Sequence, residues 1–266
     1  MKEIPFPDGV IPLEIFVGSV GKERAIDTVD GRPGVVDYGF NYTDRPVSLF
    51  LRIKAADKID FRLLRNEVFA TFDVGSAFYV AESDVPSRVL KVVVDESYIP
   101  DRLTEEYADF DINCRTLDSV FWESKYTTLE LHDSGYSATA EKYGLVDNID
   151  DEKVKYRFTE SNFTVYNAGN VTVEPESMEL AIQINNVSTT GTLSLKNITT
   201  GEEFRLSKNL SGRNISLNGM NVRDGTVNAF RDSNRRFISL APGDNQFEIT
   251  GATFSQVWIS FKYYYK

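Results

Sequence analysis

One cysteine, Cys114, and one histidine, His132, are all this 266-residue sequence offers of the two residue types that most often hold metals or close crosslinks. A single cysteine cannot form an intrachain disulfide. A single histidine excludes a zinc site built from several imidazoles. Cys114 sits in an alternating run and reads as a small buried apolar residue. No segment approaches the roughly 18 apolar residues of a membrane helix. Met1 to Pro12 carries prolines and acids where a signal peptide needs an apolar core, so the expectation is a chain made in a cytosol that stays soluble. Basic charge is also in short supply, with 29 Lys+Arg against 40 Asp+Glu and a net charge of -11. A protein that wraps a nucleic-acid backbone needs the opposite balance. The deficit is concentrated: residues 1–133 hold 15 basic and 25 acidic residues, and residues 134–266 hold 14 and 15. Its first reading is solubility, until a fold gives the charges a place.

What is present is a period of two. Val47, Leu49, Leu51 and Ile53 alternate with polar or outward residues, as do Ala108, Phe110, Ile112 and Cys114. The same holds for Met178, Leu180, Ile182 and Ile184, and for Val257, Ile259, Phe261, Tyr263 and Tyr265. Alternate side chains of a strand leave on opposite faces, so each run offers one apolar face to a core. The chain is expected to be mainly β, with antiparallel sandwiches. One stretch departs from this. Ile59, Leu63, Leu64, Val68 and Phe69 have helical spacing behind Asp57, which predicts a capped helix over 58–72. Asp30-Gly31-Arg32-Pro33-Gly34, Thr199–Glu202 and Pro242–Asn245 predict turns. Residues 132–155 are weaker in pattern and mark the expected junction between domains at 1–133 and 134–266. Seven Asn-X-Ser/Thr triplets, beginning at Asn41, Asn162, Asn170, Asn186, Asn197, Asn209 and Asn214, read as a by-product of Asn- and Thr-rich turns and strands.

Catalytic signatures are missing. There is no phosphate loop, dinucleotide fingerprint or Gly-X-Ser-X-Gly elbow. A serine triad would have to use His132, set in a polar junction. Asp109 and Asp111 lie two apart on one strand face, a spacing a glycosidase could use, although a solvated face is the commoner reason for it. Trp258 and Tyr264 fall on the strand face opposite Val257 and Phe261 and are the candidate contacts for a sugar or a partner. No cofactor and no metal site is expected, and the chain is read as a non-enzyme.

The order of elements in the first half resembles the N-terminal domain of the siphophage distal tail protein (Dit) family. The carrying residues are the Asp30–Gly34 turn, a strand at 47–53, the helix at 58–72, a hairpin from Phe78–Val80 to Val89–Val94 and a long strand ending at Cys114. Asp118-Ser119-Val120-Phe121 departs from the family's Asp-Pro-Phe-like segment. The second half resembles the family's galectin-like sandwich through Phe163–Gly169, Pro175, the strand at 178–184 and Leu240–Phe247. The resemblance implies two domains: an N-terminal β-sandwich or split barrel with one α-helix, and a C-terminal galectin-like β-sandwich. It further implies a virion protein of the tail tip that forms a homohexameric ring between the tail tube and the baseplate. Its expected partners are copies of itself, the tube protein, a hub protein and receptor-binding proteins, with DNA passing through the channel and no membrane contact. Asp30, Gly31, Arg32, Pro33 and Gly34 become the candidate subunit-contact loop, and the acidic first half becomes a candidate channel lining. The alternatives are a carbohydrate-binding module for host wall sugars and a wall glycan hydrolase.

Overall fold

Antiparallel pairing organises nearly every strand of the chain, in a computed structural model that describes residues 5–72, 75–134, 147–150 and 152–266. The expected junction region overlaps 135–146 and 151, which lie outside the described residues. The chain divides into two units. The first comprises Met1–Val80 and Leu90–Val120, and the second Ala81–Val89 and Phe121–Lys266.

The first unit contains strands β1 (Val10–Val17), β2 (Lys22–Thr28), β3 (Val35–Tyr42) and β4 (Pro46–Lys54), then helix α1 (Lys58–Phe72). β5 (Phe78–Glu82) and β6 (Val85–Val94) each begin or end in the second unit, and β7 (Asp101–Arg102) and β8 (Tyr107–Thr116) complete the set. β4 sits between β1 and β8. Its register with β8 sets Val47 against Cys114, Leu49 against Ile112, Leu51 against Phe110 and Ile53 against Ala108. All eight side chains are buried, so the two alternating runs present one shared apolar face. Full burial of such a side chain contributes about 1.5–3 kcal/mol. Burial pushes the Cys114 thiol up to about 12, with Asp95 adding to the effect, which fits an inert core residue.

Helix α1 has the predicted bounds. Asp57 caps it, accepting from the backbone N–H groups of Asp60 (2.8 Å) and Ile59 (2.7 Å). Those donors hold the Asp57 carboxyl below the usual carboxylate range. Asp60 returns the favour by accepting from the Ala56 N–H at 2.7 Å. The buried stripe is Phe61, Leu64 and Val68, and Phe69 meets Phe110 edge-on at 6.2 Å. Ile59 and Leu63 instead lie 71% and 57% exposed. They share a helical face with each other but not with Phe61, so spacing alone could not tell which stripe would turn inward.

The second unit adds β9 (Trp122–Ser124), α2 (Thr128–Ser134), β10 (Arg157–Phe158), β11 (Asn162–Asn167), β12 (Leu180–Thr189), β13 (Thr192–Asn197) and β14 (Glu203–Ser207). β15 (Leu210–Asn218), β16 (Asn221–Asp224), β17 (Val227–Asn228), a 3-10 turn at Phe230–Asp232, β18 (Gly243–Thr250), β19 (Gln256–Phe261) and β20 (Tyr264–Tyr265) follow. One sheet runs β10-β19-β12-β15-β16-β17 and a second β11-β18-β13-β14. Phe158 of the first sheet stacks on Phe163 of the second at 4.3 Å, and Phe163 on Phe247 at 5.4 Å. Buried Asn167, Asn197 and Asn245 donate to backbone carbonyls of Leu240, Ser239 and Ala241, which satisfies a loop that no strand pairs fully. The single helix expected from the sequence is joined by α2. Its signal is Thr127-Thr128-Leu129-Glu130, a capping box in which the Glu130 carboxylate accepts from the Thr127 N–H at 2.7 Å.

The chain end is held by a buried ion pair. Asp147 accepts from Arg88 Nε at 2.5 Å and from the Ser87 hydroxyl at 2.7 Å. The Arg88 guanidinium lies over the Tyr265 ring at 3.6 Å, and the Tyr265 hydroxyl donates to the Asp147 carbonyl at 3.0 Å. Asp147→Ala would strand Arg88 in the interior and should destabilise the second unit by about 3–5 kcal/mol, read as a lower denaturant midpoint. In the first unit, Nε and Nη1 of buried Arg45 have no hydrogen-bond partner, and burial lowers the pKa of its guanidinium. Replacing such a group with an apolar one of similar length is commonly neutral or stabilising. Arg45→Met should therefore match or raise the wild-type melting temperature; a fall of several degrees would contradict this.

Candidate assembly arm and outer-face cleft

β2 and β3 pair only with each other and carry the Asp30–Gly34 turn at their tip. An isolated two-stranded hairpin is marginal in water, yet this one is exposed along almost its whole length. Ile26, Val35 and Tyr38 are 56%, 57% and 67% exposed. One face is ordered by charge against aromatic rings. Lys22 lies 5.0 Å from the Phe40 ring centroid, Arg24 lies 5.8 Å from it, and Arg24 also pairs with Asp37. A bulge interrupts the ladder between Arg24 and Ile26, on the level of Gly39 at φ +106°. At the tip, Gly31 and Gly34 have φ of +80° and +89° with nothing within 4 Å of an added Cβ. The constraint there is backbone conformation, not space. At the base, a Cβ on Gly18 would meet Pro46 Cγ at 2.6 Å. The arm thus grows out of the β1–β4 ladder, and β1 itself is an edge strand with Ile11, Leu13 and Phe16 exposed.

The outer face of the six-stranded sheet forms a second feature. Register aligns Arg157, Trp258, Gln183, Ser216 and Arg223 in one row across β10, β19, β12, β15 and β16. Ser260, Ala181, Asn218 and Asn221 form the neighbouring row. Small Ala181 and Ser216 alternate with Gln183 and Asn218 on the two middle strands, which leaves a cleft of about 500 Å³ walled by Trp258 with Leu129 of α2 and by Arg223 with Asn221. Trp258 is fixed from the far side: the Arg157 guanidinium lies 4.8 Å from its ring centroid, and its Nε1–H donates to Gln256 at 2.5 Å. Arg157 is in turn held by both carboxylate oxygens of Asp133 at 2.8 Å. Sequence reasoning placed Tyr264 beside Trp258. Tyr264 is 2% exposed and its hydroxyl accepts from the Glu179 N–H, so it offers no open ring face. The alternation breaks after Phe261, because Tyr263, Tyr264 and Tyr265 are all buried around the β9–β20 pair.

The paired carboxylates lie elsewhere. Asp109 holds Arg52 through two hydrogen bonds of 2.7 and 2.8 Å. That partner keeps its carboxyl below the usual range, the reverse of what a general acid needs. Asp111 is exposed on the same strand. His132 lies in the last turn of α2. Among the described residues no cluster of His, Cys, Asp or Glu is arranged to hold a metal ion, and no helix is long and apolar enough to cross a membrane.

Residues 11–114 match the family described as the phage tail protein RIFT-related domain. The Dit protein of phage SPP1, whose structure is described as a paradigm of the hub adsorption apparatus in phages infecting Gram-positive hosts, aligns over 96% of this chain and 94% of its own, with a TM-score of 0.67 and 12% identity. The chain has the fold of a siphophage distal tail protein. The baseplate of phage p2 in its activated conformation with Sr aligns over 96% of this chain and 90% of that one, at 9% identity and a TM-score of 0.45. No curated protein matches the sequence.

Beside the cleft, the β15–β16 edge is tied by Asp224, which accepts from Lys208 Nζ (2.8 Å) and Arg213 Nε (2.7 Å). Burial pushes its carboxyl up, but the hydrogen bonds and charges of Lys208 and Arg213 outweigh this and leave it below the ordinary value. A carboxyl depressed in the folded state contributes stability that is complete above its unfolded pKa, about 3.9, and is lost as pH falls through the folded value. Asp224→Asn should cost about 1–3 kcal/mol near pH 7. Melting curves of variant and wild type should converge as pH is lowered below about 4; a constant gap would show that the charge is not the cause.

Proposed function

We propose that this protein is a structural subunit of a phage tail tip, a distal tail hub in the virion that closes into a homohexameric ring joining the tail tube to the baseplate. The observation that carries the reading is the whole-chain fold likeness to the SPP1 Dit hub protein, with the tail-domain match over residues 11–114, most of which belong to the first unit. The β2–β3 arm gives assembly a physical motive. Its exposed apolar side chains and the open edge of β1 are surfaces that a neighbouring copy would cover. Head-to-tail contacts of this kind repeat until the rotation closes. In this reading Asp30, Gly31, Arg32, Pro33 and Gly34 form the loop that touches the next subunit. Part of the acidic surplus of residues 1–133 lines the channel, where DNA phosphates would slide without sticking. Screening over about 8–10 Å at physiological salt limits repulsion among six acidic subunits. Tube, hub and receptor-binding proteins are the partners, and the protein itself catalyses nothing.

Light scattering of the full chain should give about six times the 30.1 kDa chain mass, alone or after mixing with the tube protein. A monomer under both conditions would sink the ring. Gly31→Val with Gly34→Val forces β-branched residues into positive φ, which costs roughly 1–2 kcal/mol per residue. That pair should abolish the ring and leave the circular dichroism of the monomer unchanged. Rings of normal size from the double variant would remove this loop from the contact.

A further inference from the structure

We infer that the cleft on the outer face of the second unit's six-stranded sheet is a binding site for a saccharide chain. This goes beyond the tail-hub reading and stands or falls separately from it. Four observations carry it. First, the shape is built by register. Three strand steps separate Trp258 from Arg223, about 14 Å of sheet width, and of the four outer-face residues on the two strands between them Ala181 and Ser216 are too small to fill the floor. The resulting volume of about 500 Å³ is that of a small-ligand site.

Second, the indole is fixed before any ligand arrives. Arg157 approaches from β10, the strand on the side of β19 away from the cleft, and Gln256 holds the indole N–H. A ring already immobilised loses little freedom on stacking against a sugar. Third, the remaining groups suit hydroxyls. Asn218 and Asn221 each bring a planar amide with donors and an acceptor, the complement of adjacent hydroxyl pairs on a sugar ring, and Gln183, whose amide N–H donates to Asn185 at 2.7 Å, adds its carbonyl oxygen as an acceptor. Fourth, the lining contains no carboxylate and does contain Arg223. The site therefore accepts neutral sugars and favours those that place an acidic substituent against Arg223. A protein partner fits less well, because this face has no cluster of exposed aromatic or aliphatic anchors for an interface core to bury.

The two tryptophans, Trp122 and Trp258, make the test direct. In the full-length Trp122→Phe protein, indole emission comes from Trp258 alone. Titration with chitohexaose as a neutral probe and with an oligogalacturonate as an acidic one should give a saturable change with at least one. The expected dissociation constant is about 10 μM to 1 mM, the weak range of a shallow site. By calorimetry on the otherwise native chain, Trp258→Ala should weaken that binding at least about tenfold. Ser216→Tyr, which fills the floor and leaves the indole and its supports in place, should weaken it to a similar degree. Circular dichroism of both variants should match wild type. Arg223→Ala should weaken the acidic probe more than the neutral one. Failure of both probes to saturate, or binding retained within about twofold in both Trp258→Ala and Ser216→Tyr, overturns the proposal. Ring mass measured by light scattering on the same samples reports on the hub reading alone, so the two failures cannot be confused.

Discussion

Where Leu49 faces Ile112 and Leu51 faces Phe110, two strands far apart in sequence agree on which side is the inside. That agreement is the constraint on which the other features rest. A slip of one residue in β4 against β8 would turn Val47, Leu49, Leu51 and Ile53 to the opposite face. The helix packs on the face they form, with Phe69 against Phe110. The second unit repeats the rule. Ile182 and Ile184 pair with Ile259 and Val257 on the inner face. The same pairing forces Gln183, Trp258 and Ser216 into line on the outer face. The cleft is thus a by-product of core register, since a sandwich that buries one set of alternate residues must present the other.

The two outer surfaces solve different physical problems. The arm keeps apolar residues on a two-stranded ribbon that cannot bury them by itself. The cleft is polar, pre-shaped and braced by ion pairs at its margins. Asp133 holds Arg157 behind Trp258, while Asp224 ties β15 to β16 beside Arg223. Braces of this kind have little influence on the fold, which the apolar faces already specify, but they fix where the cleft walls stand. The arm and the cleft share no residues.

The alternation in residues 47–53, 108–114 and 257–261, and the capped stretch behind Asp57, follow from local chemistry, and all of them were legible in the sequence. The Asp30–Gly34 turn was legible for the same reason, because glycine and proline declare their backbone angles locally. α2 announced itself only through Thr127 and Glu130, a short signal beside a strong β pattern. Ile59 and Leu63 looked like core and Tyr264 looked exposed, because helix facing and the end of a strand depend on what packs against them.

Sequence by itself determined that this protein is β-rich, which residues could share a face, where a helix starts and where the chain must turn. These are properties of neighbours along the chain. Tertiary structure alone decided which runs pair and in what register, and with them the burial of Arg88 with Asp147 and the row from Arg157 to Arg223. It also decided that β2 and β3 project with no sheet to cover them. Those outcomes join residues tens to more than a hundred positions apart, and only the packing of the whole domain selects among the pairings that local patterns allow.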